Sequence, residues 1–284
     1  MKEFTVDLYE HFGYSKPDHA DGRLCCYILD TAAAISPSRR HPAVLVIPGG
    51  GYCHVSAREG EPVALRFLNR GYCAFVLQYS VAPVRFPTAL REAAMAMRYI
   101  REHSASLFVD AGMVAAMGFS AGGHLCGCLG TMFDSHEVSD IGDGALLRPD
   151  GLGLCYPVAV SWGPTHEGSF DCLCGGDLPL RHSLSLDRRI RPDMPPVFLW
   201  HTRDDACVPC RNSLILAEGL DSAGVAFALH IYRNGQHGLS TADQQAYPVW
   251  QVPAISSDVP GWVDGMLGFF GEIGFSMTDG GENV

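Results

Sequence analysis

The stretch MGFSAGGHL, Met117 to Leu125, places one serine between two glycines, with an apolar run before it and small residues after it. Gly118, Ser120 and Gly122 fit the pattern G-x-S-x-G, in which a strand turns abruptly into a helix and exposes the serine hydroxyl. The two glycines lack Cβ atoms, so neighbouring segments of the chain can approach the turn closely. The stretch predicts a nucleophilic Ser120, and a plain turn between strand and helix is the alternative.

Short apolar runs alternate with stretches of helical periodicity along most of the chain. The predicted strands are Leu24–Leu29, Ala43–Ile47, Ala74–Tyr79, Val114–Phe119, Gly153–Val160, Val197–His201 and Phe227–Tyr232. The predicted helices are Glu61–Arg70, Thr88–His103, Ala121–Phe133 and Arg211–Ala223. Because several strands are apolar almost throughout, we expect a mostly parallel central sheet buried on both faces. The alternation predicts an α/β fold with helices on both faces, and it puts Ser120 between a strand and a helix.

The length of 284 residues suits one large α/β domain, so we expect a single domain over residues 1–284. Residues 1–22 are expected to form a polar N-terminal extension, and residues 275–284 a flexible tail. The formal net charge of −11 disfavours nucleic acid and anionic membrane surfaces as partners. No apolar run is long enough to span a bilayer. The sequence therefore predicts no nucleic-acid partner and no membrane partner, and it leaves the oligomeric state open.

Eleven cysteines raise the question of a metal site or a disulfide framework. The N-terminal segment lacks the apolar run of a secretory signal, so we expect a cytoplasmic, reducing location with free thiols. Only Cys207 and Cys210 have the C-x₂-C spacing of a structural zinc site. Several other cysteines stand inside apolar runs, namely Cys25, Cys26, Cys73 and Cys155. A thiol in such a run behaves as a small hydrophobic group, so we expect no metal and no organic cofactor.

A serine nucleophile needs a base, and the histidines differ in how well they fit that role. Where a G-x-S-x-G turn carries the nucleophile, the acid and then the histidine follow the serine along the chain, each on a loop beyond a later strand. His237 lies between glycine-containing turn residues just past the last predicted strand. His230 lies inside that strand and is expected to pack, and His201 comes too early in the order. The sequence therefore predicts His237 as the base.

The orienting carboxylate is expected in the loop after the strand that ends at His201. Asp204 and Asp205 are adjacent there, and only one of them can point at the imidazole. Asp205 begins the run D-A-C-V-P and is the preferred candidate. Its neighbour is expected to cap a turn or to face solvent.

A glycine triplet, Gly49-Gly50-Gly51, follows the predicted strand Ala43–Ile47. Glycines let the backbone approach a tetrahedral intermediate and direct amide protons at its oxygen. We expect the amides of Gly50, Gly51 and Ala121 to form an oxyanion hole. A phosphate-binding loop is the alternative, but neither G-K-[ST] nor G-x-G-x-x-G accompanies the triplet.

Five segments together resemble bacterial α/β-hydrolases of the acetylesterase type, which are related to hormone-sensitive-lipase-like esterases and carbohydrate acetylesterases. The segments are PGGGY (48–52), YSVAP (79–83), GFSAGGHL (118–125), HTRDDACVP (201–209) and NGQHGLS (234–240). The resemblance implies the α/β-hydrolase fold with Ser120, Asp205 and His237 as the catalytic triad. Pro48 departs from the histidine that usually precedes the three glycines, and Phe119 departs from an acidic residue that many relatives carry before the serine.

This resemblance implies a serine esterase whose partner is a small-molecule ester. The segments 134–150 and 161–196, which connect later strands, contain little continuous apolar sequence. A pocket for a long acyl chain needs extended apolar walls, so we expect short acyl groups, above all acetyl on a carbohydrate hydroxyl. Tyr52, Trp162 and His166 are candidates for the substrate pocket. A serine peptidase or amidase, an arylformamidase, and a non-catalytic binding protein with the same fold are the alternatives.

Overall fold

The computed structural model describes residues 1–30, 36, 38–248, 251 and 255–279. The strands are β1 (Lys2–Asp7), β2 (Arg23–Ile28), β3 (Arg39–Ile47), β4 (Cys73–Gln78), β5 (Val109–Phe119), β6 (Gly151–Cys155), β7 (Val197–Thr202), β8 (Phe227–Tyr232) and β9 (Thr278–Asp279). The helices are α1 (Leu8–Phe12), α2 (Glu61–Leu68), α3 (Thr88–Glu102), α4 (Ala121–Met132), α5 (Gly144–Leu147), α6 (Glu167–Cys174), α7 (Leu178–Ser183), α8 (Arg211–Ser222) and α9 (Trp262–Glu272). Short 3₁₀ turns lie at Ala57–Glu59, Leu186–Arg188 and Val259–Gly261.

The strands form one sheet in the order β1-β2-β4-β3-β5-β6-β7-β8, and β9 pairs with the start of β3. Neighbouring strands from β4 to β8 are parallel, whereas β1 and β2 add an antiparallel edge. The predicted mostly parallel α/β sheet is therefore confirmed. The carboxyl ends of β3, β5, β7 and β8 lie at the same edge, so the loops that follow them can meet.

The apolar core divides into two layers, one on each face of the sheet. One layer packs residues of α3, α4 and α8 against the sheet, and the other packs residues of α2 and α9. In α4, all residues from Ala121 to Met132 are buried, so this helix is enclosed by its neighbours. Helices on both faces were predicted, and the packing confirms them.

The predicted strands and helices occur in the structure, with differences at their ends. β5 begins at Val109 rather than Val114, and β6 ends at Cys155 rather than Val160. The early end of β6 has a local cause. Tyr156 has a positive φ of 37°, and Pro157 next to it has no N–H to offer a neighbouring strand.

The expectation that residues 1–22 form only a polar extension is wrong. β1 pairs with β2 along its whole length, and α1 begins directly after Asp7, whose carboxylate accepts hydrogen bonds from the Tyr9 and Glu10 amides. The Tyr9 hydroxyl donates to the Glu92 carboxylate at 2.8 Å, and Glu92 is fully buried in α3. This segment is therefore fixed to the core of the domain.

The predicted flexible tail at residues 275–284 also needs correction where the structure describes it. Phe275 is buried, and Thr278 and Asp279 form β9 beside Arg39 and Arg40. Residues 280–284 lie outside the described residues. In the described part of the chain, every helix is too short or too polar to cross a bilayer.

Candidate active site

Ser120 occupies a strained turn between β5 and α4. Its backbone has φ 54° and ψ −119°, a combination that costs a non-glycine residue roughly 1–3 kcal/mol. A Cβ on Gly118 would lie 2.1 Å from the Gly122 oxygen, and one on Gly122 would lie 2.2 Å from the oxygens of Ile47 and Pro48. Both positions therefore need glycine, and the crowded backbone holds the serine hydroxyl out at the amino end of α4, where the helix dipole favours negative charge.

The structure brings Ser120, His237 and Asp205 into one hydrogen-bonded chain. His237 Nε2 lies 2.8 Å from Ser120 Oγ, and His237 Nδ1 lies 2.6 Å from Asp205 Oδ2. Because a carboxylate only accepts, Nδ1 carries the proton, and Nε2 is left to accept from the serine hydroxyl. His237 is in the loop after β8 and Asp205 in the loop after β7, so the strand ends position all three groups.

Asp205 is buried and remains ionised. Its Oδ1 accepts hydrogen bonds from the Cys207 and Val208 amides, each at 2.9 Å. Burial by itself would raise the pKa of Asp205, but hydrogen bonds from His201 and His237 outweigh it and hold that pKa well below its ordinary value. A carboxylate that stays charged can fix the His237 tautomer and stabilise an imidazolium.

Asp204 points away from the imidazole. Its Oδ1 accepts from the Gly235 amide at 2.7 Å, and its Oδ2 accepts from the Asn234 side chain at 3.2 Å. The Gly235 bond is the main cause of a lowered Asp204 pKa. Asp204 therefore ties the loop after β7 to the loop that carries His237, which matches its expected role as a turn cap.

His201 supports Asp205 from the side opposite His237, a role that the sequence did not predict. Its Nε2 lies 2.8 Å from the Val208 carbonyl oxygen and 3.4 Å from Asp205 Oδ2, and its Nδ1 lies 2.8 Å from Ser213 Oγ. A carbonyl only accepts, so Nε2 carries the proton and Nδ1 accepts from the serine. The fully buried imidazole thus directs an N–H at the Asp205 carboxylate. His230, which was expected to pack, is exposed on β8.

The glycine loop after β3 is held by a second buried carboxylate. Glu59 Oε2 accepts from the Gly49 amide at 2.8 Å, and Glu59 Oε1 accepts from the Tyr156 hydroxyl at 2.7 Å. The Tyr156 oxygen in turn accepts from the Ser240 amide at 2.8 Å. This network joins the glycine loop, the end of β6 and the loop that follows His237.

The amides predicted to form an oxyanion hole lie beside Ser120. Gly50 has φ 124°, and a Cβ there would lie 2.0 Å from the His54 oxygen, so the turn requires glycine. The Gly50 carbonyl accepts from the Cys53 and His54 amides and thereby closes the turn. Within the described residues, the amides of Gly50, Gly51 and Ala121 donate to no protein acceptor. Gly50 and Gly51 line the same cavity as Ser120, so these N–H groups stay the predicted donors of an oxyanion hole.

A cavity of about 330 Å³ opens on Ser120 and His237. The other described residues that line it are Gly50, Gly51, Cys53, His54, Ser56, Arg58, Glu59, His166, Cys207 and Gly238. His166 stands at the wall with its Nδ1 2.8 Å from Ser169 Oγ. Burial and the neighbouring His237 lower the pKa of His166. Of the three predicted pocket residues, His166 reaches this cavity.

Tyr52 and Trp162 do not line the described cavity wall, which corrects their prediction as pocket residues. Tyr52 is buried, and its hydroxyl lies 2.8 Å from His124 Nδ1, while His124 Nε2 lies 2.8 Å from the Leu184 carbonyl oxygen. Burial lowers the pKa of His124 to about 4, so this imidazole is neutral and structural. Trp162 donates its indole N–H to Asp187 at 2.9 Å.

All eleven cysteines are free thiols. Cys26, Cys73 and Cys155 are buried as expected, whereas Cys25 is only half-buried. Cys53 and Cys207 are exposed and line the cavity. Among the described residues, no cluster of three or more His, Cys, Asp or Glu side chains is arranged to hold a metal ion.

Comparison with known proteins identifies the family. The chain is 36% identical in sequence to an acetyl ester-xyloside bifunctional hydrolase from Caldicellulosiruptor lactoaceticus. The crystal structure of that protein matches the structure of this chain with a TM-score of 0.82, over 96% of this chain and 97% of that one. The chain belongs to the α/β-hydrolases of the acetylesterase type. A family model named BD-FAE matches residues 29–145 of this hydrolase.

Two curated relatives cover most of the hydrolase. Endo-1,4-beta-xylanase B of Butyrivibrio fibrisolvens is 36% identical over 224 residues, which is 74% of this chain and 34% of the relative. An acetylxylan esterase of Xylanibacter ruminicola is 27% identical over 245 residues, which is 84% of this chain and 46% of the relative. The hydrolase thus spans between a third and a half of the length of these relatives.

Proposed function

We propose that the chain is a serine ester hydrolase that removes acetyl groups from small acetylated carbohydrates. The observation that carries the proposal is the hydrogen-bonded chain from Ser120 through His237 to Asp205, which opens on a cavity beside unpaired backbone amides. A binding protein of the same fold would not need this complete set. The similarity to an acetyl ester-xyloside hydrolase supports the same reaction class.

The geometry supports a two-step acyl transfer. His237 Nε2 accepts the Ser120 hydroxyl proton as Oγ bonds to the ester carbonyl carbon, and Asp205 stabilises the imidazolium that forms. The carbonyl oxygen becomes an oxyanion that the amides of Gly50, Gly51 and Ala121 stabilise. The tetrahedral intermediate collapses, and the departing alcohol takes the proton from His237. Water then attacks the acetyl-serine as it gives a proton to His237. The second tetrahedral intermediate releases acetate while His237 returns that proton to Ser120 Oγ.

The size of the site supports a short acyl group. The cavity of about 330 Å³ must hold both the acyl group and part of the alcohol. Its wall includes His54, Ser56, Arg58 and His166, and these polar groups suit a hydroxyl-rich alcohol better than a hydrocarbon chain. An acetyl ester of a sugar fits both features.

The proposal is tested by acetate release from mono-acetylated methyl xylosides, followed by an enzymatic acetate assay. N-formylkynurenine and an aminoacyl p-nitroanilide serve as arylformamidase and peptidase substrates. We expect a kcat/KM on the acetylated xylosides at least about a hundredfold above that on either alternative substrate. Efficient turnover of an alternative substrate without acetate release would contradict the proposal.

A further inference from the structure

Arg58 is a cation at the catalytic cavity that the reaction itself does not use. It is exposed in the 3₁₀ turn Ala57–Glu59, directly after the glycine loop. Among the described residues lining the cavity, it is the one arginine or lysine. Neighbouring arginines are paired, since Arg66 contacts Asp243 and Arg70 contacts Asp264. Arg58 forms no ion pair with any carboxylate in the part of the chain that the structure describes.

Arg58 is held in place by two contacts, one on its side chain and one on its backbone. Its Cζ lies 5.2 Å from the centre of the Tyr247 ring, and the buried Tyr247 donates its hydroxyl proton to the Gly238 carbonyl. The Arg58 carbonyl accepts from the Ser240 hydroxyl. Both contacts attach Arg58 to the loop that carries His237. A guanidinium has five N–H donors, so a contact with one aromatic side chain leaves donors that can meet a ligand.

Arg58 also lines a second groove, of about 510 Å³, beside the catalytic cavity. Ala57, Glu61, Pro62, Leu65 and Gln245 line the rest of it. A group bound by Arg58 would therefore lie next to the reacting ester and not on the carbonyl carbon. In an ester of a sugar, that position belongs to the alcohol part of the substrate.

We propose that Arg58 binds a carboxylate on the alcohol part of the substrate, so that the hydrolase prefers acetyl esters of acidic sugars to neutral ones. This inference rests on the proposed esterase function. A planar guanidinium matches the two oxygens of a carboxylate. A single arginine neutralises the one negative charge of a carboxylate, whereas it would leave one charge of a phosphate dianion without a partner. The chain carries a net charge of −11, so an anionic substrate needs a local cation at the entrance.

The test compares two esters that differ in one group, the 3-O-acetates of methyl glucuronoside and methyl glucoside. We expect the kcat/KM of the wild-type hydrolase to be roughly tenfold higher on the glucuronoside, the gain of one charge-assisted contact. Arg58→Gln is expected to bring that ratio close to one by raising KM for the acidic ester, and Arg58→Lys to keep part of it. Arg23→Gln, on β2 and outside the cavity, makes the same charge change and should keep the full ratio. Added salt should lower the wild-type ratio.

The outcomes separate this inference from the esterase proposal. Cleavage of the neutral ester with no preference for the acidic one contradicts the role of Arg58 and leaves the esterase proposal standing. If Arg58→Gln lowers kcat/KM equally on both esters, the residue stabilises the loop and does not bind the carboxylate of the substrate. A higher kcat/KM on the 3-O-acetate of methyl glucoside 6-phosphate than on the glucuronoside would show that Arg58 prefers a phosphate to a carboxylate, and it would contradict the inference. A protein that cleaves none of these esters contradicts both proposals.

Discussion

Tyr156 and Glu59 form a buried hydrogen bond of 2.7 Å that links the end of β6 to the turn behind the glycine loop. The same carboxylate accepts from the Gly49 amide, so both of its oxygens receive a donor. A carboxylate can satisfy two donors on separate oxygens, whereas an amide side chain offers only one oxygen. Glu59 is therefore expected to determine where the oxyanion amides lie.

Glu59→Gln is expected to leave one buried donor without an acceptor, at a cost of about 1–3 kcal/mol in the free energy of unfolding. Displacement of the neighbouring Gly50 and Gly51 amides should lower kcat for p-nitrophenyl acetate about tenfold or more, with a smaller change in KM. Glu61→Gln, an exposed carboxylate two residues further on, is the matched control. An unchanged kcat in a folded Glu59→Gln protein would contradict this role.

The aspartate pair gives a second prediction. Asp205→Asn should lower kcat by about 10³- to 10⁴-fold, because the amide favours the wrong tautomer of His237. Asp204→Asn keeps an acceptor for the Gly235 amide and should change kcat by less than about threefold. Steady-state kinetics on p-nitrophenyl acetate measures both variants. The reverse order of effects would assign the acid to Asp204.

Acyl-chain length gives a third prediction. The kcat/KM is expected to fall steadily from p-nitrophenyl acetate to butyrate to octanoate, since the cavity of about 330 Å³ has to hold the acyl group together with part of the alcohol. Each added methylene that finds no apolar contact forgoes about 1 kcal/mol of possible stabilisation, so the decline should be gradual. A higher efficiency on octanoate than on acetate would contradict the short-acyl proposal.

Glu92 gives a prediction about stability and pH. Burial raises the pKa of Glu92 to about 7, against the hydrogen bonds from Ser80 and Tyr9 that lower it. The native state then holds a proton that the unfolded chain releases above its ordinary pKa of about 4.5. The stabilisation from this proton, about 3 kcal/mol, is complete below pH 4.5 and is lost as the pH rises to 7.

Urea denaturation at pH 5 and pH 7.5 measures this effect. Glu92→Gln resembles the protonated form, so its free energy of unfolding should decline less over this interval than that of the wild type. Glu10→Gln, an exposed carboxylate on α1, should follow the wild type. Equal declines in the wild type and in Glu92→Gln would show that Glu92 does not titrate as stated.

Sequence patterns were informative where a short segment determines its own backbone. The turn at Ser120 needs glycines at Gly118 and Gly122, so the motif itself carries the geometry. Glu59 and Tyr156 are 97 residues apart in the chain, and no local pattern relates them. His201 likewise lies inside the buried strand β7, and only the folded loop after β7 brings Asp205 against it.

The missed secondary structure has physical reasons too. Residues 2–5 of β1 are exposed, and only Phe4 and Val6 alternate with polar residues in it, which is too short an alternation to mark a half-buried strand by itself. In α9, Gly265, Gly268 and Gly271 weaken the helical pattern, because glycine is a poor helix former. Contacts with the sheet stabilise both segments, and these contacts involve residues distant in sequence.

The most direct measurement of the central claim is the rate of p-nitrophenyl acetate hydrolysis by Ser120→Ala beside the wild type, with thermal unfolding recorded for both. Removal of the nucleophile should lower kcat by about 10⁴-fold or more while the thermal midpoint stays within a few degrees. The substitution deletes one hydroxyl and its bond to His237, so the fold should persist. Turnover within about tenfold of the wild type by a folded Ser120→Ala protein would contradict the assignment of Ser120 as the nucleophile.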